Sequence, residues 1–190
     1  MAAKKKWDDD GNELPKAPRG GFSVPIDYEA IKQEPWLVEL NAKLSGNRFK
    51  LDSSIPGELR TLSEQRTVLP VVRNKEDMLD LQVQNAQCLA RRDRVAEILV
   101  SYTAIKYSLD LLWDAAQAKA LELPTFQRLT NQPAREAFMA AILGSVHEKR
   151  SKTNKVIAMA SILIEHLNAT DFALQRHAKF GEQQLSQRSA

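Results

Sequence analysis

Two groups of basic side chains are the residues of this sequence whose types and spacing could do chemistry. Arg91-Arg92-Asp93-Arg94 sets three guanidinium groups within four residues, and Lys149-Arg150-Ser151-Lys152-Thr153-Asn154-Lys155 sets four cations in seven residues with no acid between them. Arg176 and Lys179 follow farther along. Cations so placed can contact phosphates and release the counterions condensed on a nucleic acid, which gives affinity without sequence readout. The same side chains can instead form ordinary ion pairs along a solvated helix face. Single-strand binders interleave positive charge with stacking aromatics. Here Tyr107 is the one exposed candidate, because Tyr102 falls on a predicted apolar seam.

Catalytic signatures are missing. The sequence has no glycine-rich phosphate loop, no Cys-x-x-Cys, no His-Glu-x-x-His and no Gly-x-Ser-x-Gly, so a chain without an enzymatic site is expected. His147, His166 and His177 lie 19 and 11 residues apart, and neither spacing puts two imidazoles on adjacent helical turns. No metal and no cofactor is expected. Glu148, Glu165 and Asp171 read as solvated or ion-paired carboxylates. Cys88 is the only cysteine, so no intramolecular disulfide can form, and an inert thiol in a reducing compartment is expected. Asn168-Ala169-Thr170 then reads as a chance match to a glycosylation site. The uncharged apolar stretches Ala137 to Val146 and Val156 to Ile164 have ten and nine residues, against roughly 20 for a membrane span. The basic start is followed by Trp7-Asp8-Asp9-Asp10 instead of an apolar run. The expectation is therefore a cytoplasmic protein, not secreted and without a membrane partner.

The elements that position the basic residues follow from where Pro and Gly fall. Of the 190 residues, 43% are hydrophobic and 27% charged, with a net charge of +3. Six of the eight prolines and five of the seven glycines precede residue 71. Residues 1–70 therefore read as an extended, Pro/Gly-punctuated arm, with a linker at Leu14 to Gly21 and an apolar island at Phe22 to Tyr28. A short amphipathic helix is predicted near 35–45: Pro35 suits its first position, Gly46 its stop, and Trp36, Leu37, Leu40 and Leu44 share a face. About eleven residues cannot hold a helix alone. That face must dock either on the chain's own helices or on a protein partner, and Trp36, Leu37, Leu40 and Leu44 are the candidate docking residues.

Residues 71–190 read as a helical domain. No Gly or Pro occurs from Val71 to Leu123, and Asn74 is a plausible N-cap for a long helix starting near residue 75. Val95, Ile98, Tyr102, Ile105, Leu109, Leu112 and Ala116 repeat at three-four spacing, a coiled-coil-like seam. A second helix is predicted from near Pro133, with a seam of Phe138, Ile142, Ser145, Val156, Ala160, Leu163 and Leu167. A third is predicted from around Thr170-Asp171. The second seam turns polar at 149, 152 and 153, where either packing opens or water enters. The fold class is all-α: a long antiparallel helical hairpin with an extended N-terminal arm. A hairpin on the order of 70 Å long is too thin to bury so broad a stripe, so a homo-oligomer is expected.

From about Glu76 to Phe180 the layout resembles the phage recombination mediators of the UvsY type. The residues that carry the likeness are Arg91-Arg92-Asp93-Arg94 in a long helix, the break that follows, the lysine-rich Lys149 to Lys155, and a terminal Phe172-Ala173-Leu174-Gln175-Arg176-His177. The resemblance implies a small helical protein in a bacterial or phage-infected cell that self-associates, binds single-stranded DNA and helps to load a recombinase. On that reading Arg91, Arg92, Arg94, Lys149, Arg150, Lys152, Lys155, Arg176 and Lys179 touch nucleic acid and the arm docks a protein partner. The rival expectation is a structural or adaptor subunit of a large assembly, such as a virion, whose arm wraps a neighbour and whose basic residues form interfacial ion pairs.

Overall fold

The computed structural model describes residues 26–188; the linker expected at 14–21 and the 22–25 part of the first island lie outside the described residues. Two long helices dominate. The Gly/Pro-free stretch forms α4, Lys75–Glu122, whose N-terminus is capped as expected by the Asn74 side chain accepting from the Asp77 amide. Leu123 ends it, with Pro124 opening a single short turn, α5, Pro124–Gln127. The chain then reverses into α6, Gln132–Arg188. Helices α4 and α6 pack antiparallel as a hairpin, with Arg150 of α6 beside Asp110 of α4 and the Cys88 thiol donating to the Leu167 carbonyl at 3.6 Å. The predicted seams are the packed ones: Val95, Ile98, Tyr102, Leu109 and Ala116 are buried against Phe138, Ile142, Val156, Ala160, Leu163 and Leu167. Ser145 departs from its seam and is exposed, donating to Asn41 Oδ1.

Two expectations are corrected. No separate helix starts at Thr170; α6 runs unbroken through it, because Thr170 donates its hydroxyl to the His166 carbonyl within the helix and so never acts as a cap. The second correction concerns the arm. Among residues 28–64 the chain is largely helical, with α1, Tyr28–Lys32, α2, Pro35–Ser45, a 3-10 turn, Asn47–Phe49, and α3, Ile55–Glu64. Asp27 caps α1 by accepting from two amides. Helix α3 begins Ile55-Pro56-Gly57, which reads as a turn in sequence; Pro56 lacks an N–H only where the first turn of a helix leaves that donor unpaired anyway. Together these elements form a strap along one side of the hairpin. The stripe too broad for a two-helix hairpin is thus covered in part by the chain itself.

The core falls into two clusters. One gathers Leu59, Leu81, Val95, Ile98, Tyr102, Leu163 and Leu174. The other, toward α5, gathers Leu37, Leu40, Leu44, Phe49, Leu109, Phe138 and Leu143. Between them lies a polar waist where the sequence showed the seam interrupted. Thr153 is fully buried there and its hydroxyl has no partner among the described residues. An unpaired buried hydroxyl costs about 1–3 kcal/mol. Thr153→Val, which keeps the shape and removes the orphan, is therefore expected to raise stability by about 1 kcal/mol in urea unfolding.

The end of the hairpin is closed by a small residue. A Cβ on Gly181 would stand 2.7 Å from Val72 Cγ1 and 3.0 Å from Val72 Cβ and Met78 Cε. Methionine can move, but the branched Val72 is tied to the backbone just before α4. Gly181→Ala gains about 1 kcal/mol of helix propensity and incurs overpacking of about 1–3 kcal/mol. A net loss of roughly 1 kcal/mol in the thermal unfolding free energy is expected.

Candidate functional site

The structure turns three of the nine predicted basic residues, Arg91, Arg94 and Lys149, against the strap. Lys149, on the waist of α6, donates to the Leu44 carbonyl at the end of α2 and to the Phe49 carbonyl, both at 2.8 Å. Arg91 on α4 donates to the Gln65 carbonyl and the Thr67 hydroxyl, each at 2.6 Å. Arg94 grips Glu58 of α3 through both carboxylate oxygens, at 2.6 and 3.1 Å, and reaches Glu97 as well. The hydrogen bonds from Arg94 hold Glu58 below the usual carboxylate range and push the guanidinium pKa upward. Three further bonds continue the line: Arg48 to the Ser108 hydroxyl at 2.8 Å, Tyr102 to the Asp52 carbonyl at 3.3 Å, and His177 to the Pro70 carbonyl at 2.9 Å.

The remaining cations divide. Arg150 bonds Asp110 at 2.7 Å with its guanidinium 5.0 Å from the Trp113 ring centre, and Lys106 meets the other Asp110 oxygen at 2.9 Å. Burial raises the Asp110 pKa, but hydrogen bonds and charge from Lys106 and Arg150 outweigh it and hold the carboxyl below its ordinary value. Arg92 pairs with Asp93 and, at 3.7 Å, with Asp171. Lys152 pairs along its own helix with Glu148. Arg176 lies over the Phe172 ring, and Lys155 and Lys179 are exposed with no ion pair or hydrogen bond among the described residues. Nine candidate phosphate-binding residues thus reduce to three that are exposed with no carboxylate partner, all on α6.

The candidate docking residues are also occupied. Leu37, Leu40 and Leu44 are buried, Trp36 is half-buried, and all four belong to the cluster formed with Leu109, Ala116 and Phe138. Of the two dockings left open by the sequence, the structure shows the one on the chain's own helices: the hairpin groove beside α2 is apolar and within reach, so the helix buries its face intramolecularly. Cys88 is fully buried, and desolvation raises its thiol pKa.

What the sequence reading missed is a second seam on α4, opposite the first. Leu79, Val83, Val100, Tyr107, Leu111 and Leu121 follow three-four spacing and are all exposed, Val100 at 70% and Tyr107 at 67%. Ala86, Ala90, Ala104 and Ala118 fill the positions between, with Asp93, Glu97 and Asp114 the only charges in the row, and every one of these is exposed. The signal was present in the spacing. A shift of two residues from the first seam separates the rows by about 200°, which hides the second behind the first.

Other features of the surface are modest. A cleft of about 510 Å³ lies near α5, walled by Trp113, Phe126, Met139 and His147. Among the described residues, no group of three His, Cys, Asp or Glu side chains is placed to hold a metal ion. By length and composition, α6 contains a stretch apolar enough to cross a membrane, which the sequence expectation of none did not anticipate; core helices pass the same measure, and this one supplies Val156, Ala160, Leu163 and Leu167 to the hairpin core.

Fold and surface together define an all-α helical hairpin clasped by its own N-terminal strap. No protein-family model, curated protein or solved structure matches the chain.

Proposed function

We propose that this chain is a non-enzymatic, self-associating helical subunit of a larger assembly, working through protein contact along its long helices. The observation that carries this reading is the outer face of α4, thirteen consecutive seam positions from Leu79 to Leu121, all exposed, ten of them apolar. Contiguous apolar surface on that scale marks interaction sites in soluble proteins, and a three-four repeat is the pattern by which helices find other helices. The basic residues add support by their employment. Arg91, Arg94 and Lys149 clip the strap to the hairpin, and Arg150 and Arg92 pair with Asp110 and Asp171. That use leaves few cations for phosphates, and it favours the structural or adaptor reading over recombination mediation.

Two measurements test the reading. Sedimentation equilibrium of the full chain is expected to give a mass above 21.4 kDa. Fluorescence anisotropy of a labelled single-stranded oligonucleotide is expected to show no binding near physiological salt, where charge is screened beyond about 8 Å. Tight binding with a steep salt dependence, lost on replacing the exposed Lys155, Arg176 and Lys179 by Ala, would overturn the preference and restore the nucleic-acid reading.

A further inference from the structure

The outer faces of the two long helices differ in charge in a way that specifies how copies meet. We propose that the chain assembles through a heterologous interface, the α4 outer face of one copy packing antiparallel on the α6 outer face of the next. This rests on the self-association reading above and names its surface.

On α4 the exposed row is apolar with three acids and no base; Arg94, at its edge, is already held by Glu58. On α6 the row facing away from the hairpin core contains Lys155, Ile162, Phe172, Arg176 and Lys179, with Ala158, Glu165 and Ala169 between them. Ile162 is 69% exposed and Phe172 62%. Asp114 has no ion pair or hydrogen bond among the described residues, and neither has Lys155 or Lys179. Glu165 on α6 is likewise without an ion pair or hydrogen bond among the described residues, so the unspent charge is negative on the α4 face and net positive on the α6 face.

The spacing agrees as well. Asp93 and Asp114 are 21 residues apart, and so are Lys155 and Arg176. Three heptads on each helix span about 32 Å. One antiparallel register sets Asp93 against Arg176 and Asp114 against Lys155. That same register sets Leu111 against Ala158 and Val100 against Ala169, a large residue facing a small one, and places Tyr107 across from Ile162. Three charges are unmatched in this register: Glu165 falls across from Ala104, Lys179 from Ala90 and Glu97 from Phe172, so Glu165 and Lys179 must turn to the rim while Glu97 keeps its bond from Arg94.

The competing occupant is a second α4. Side by side in parallel, each acid would face its own copy. Antiparallel, Asp114 would be covered by an apolar row with no cation to meet it, while Asp93 and Glu97 would keep only Arg92 and Arg94 of their own helix, and burying an unpaired carboxylate is costly. The α6 face supplies that cation in Lys155 and sets Arg176 beside Asp93. Because the two surfaces differ, each added copy leaves one α4 face and one α6 face open, so assembly does not stop at two. Within one hairpin Asp110 is level with Arg150, so the intermolecular register displaces successive copies by about nine residues, roughly 14 Å along the axis.

The test uses the full chain and two double variants, D93K/D114K and K155E/R176E, whose altered residues are exposed. Far-UV circular dichroism melts unchanged from the parent show that both still fold. In sedimentation equilibrium the parent is expected to exceed dimer mass as concentration rises, and each variant alone to fall to the 21.4 kDa monomer. Mixed in equal amounts, the variants are expected to recover assembly, because the basic faces of one meet the acidic faces of the other. A monomeric parent would sink both this proposal and the self-association reading. A parent that stops at dimer, or one whose K155E/R176E variant still associates, keeps self-association and overturns the α4-on-α6 surface.

Discussion

Phe138→Ala is expected to lower the unfolding free energy by about 3–5 kcal/mol, the range for emptying a fully buried aromatic site. Phe138 has no exposed surface and sits between two other rings, Tyr28 at 6.2 Å and Phe126 at 5.7 Å between centroids. Those rings come from α1 and α5, so a single side chain ties the beginning of the strap, the hairpin turn and α6 together. The cavity cannot close cheaply, because the neighbours Leu109 and Leu143 are themselves fully buried on the rigid long helices. Urea unfolding followed by tryptophan fluorescence reports on this cluster directly, since Trp36 and Trp113 pack against it. Far-UV circular dichroism reports on the whole helix content. The two transitions are expected to coincide in the parent and to shift together in the variant. A loss under 1 kcal/mol would mean that the strap's first helix does not depend on this ring.

The helices themselves were legible because each start and stop has a local chemical cause. Asn74 caps α4 and Pro35 and Gly46 bracket α2, and both signals act within one turn of the residues that carry them. The inner seam was legible for a related reason: its periodicity exists before any neighbour is chosen. The strap was not. Pro56 and Gly57 read as breakers, while the burial of Ile55 and Leu59 against the hairpin, which makes a helix worthwhile there, is a tertiary effect. The break expected at Thr170 failed in the opposite sense, since a residue that can cap a helix can also return its hydroxyl to the preceding turn. The basic residues were found but their partners were not. Arg94 and Glu58 are 36 residues apart, and Lys149 meets carbonyls 100 and 105 residues away. A backbone carbonyl has no signature in sequence, so a lysine that seeks one looks identical to a lysine that seeks a phosphate.

That distinction makes Lys149→Met the second large effect, expected at about 3 kcal/mol and confined to the strap. The Leu44 carbonyl lies in the last turn of α2, where the helix has no N–H left to offer it, and Phe49 ends the 3-10 turn. One ammonium satisfies both at 2.8 Å, and it also stands at the negative end of the α2 dipole. Hydrogen bonds from a charged donor contribute about 1.5–3 kcal/mol each, and the two here share one desolvation cost. Methionine keeps the unbranched stem and removes only the donors, so the packing of α6 on α4 is left alone. Hydrogen exchange is therefore expected to quicken in α2, the 3-10 turn and the link to α3 while the amides at the centre of α4 keep their protection. Lys152→Met is the matched control, because Lys152 pairs only with exposed Glu148 on its own helix, and no change in exchange is expected. If both variants left strap exchange untouched, the lysine would not be the fastening, and its charge would be free for another use. Uniform acceleration through α4 and α6 would instead show that the strap and hairpin open as one unit, making the strap part of the core rather than a clasp laid upon it.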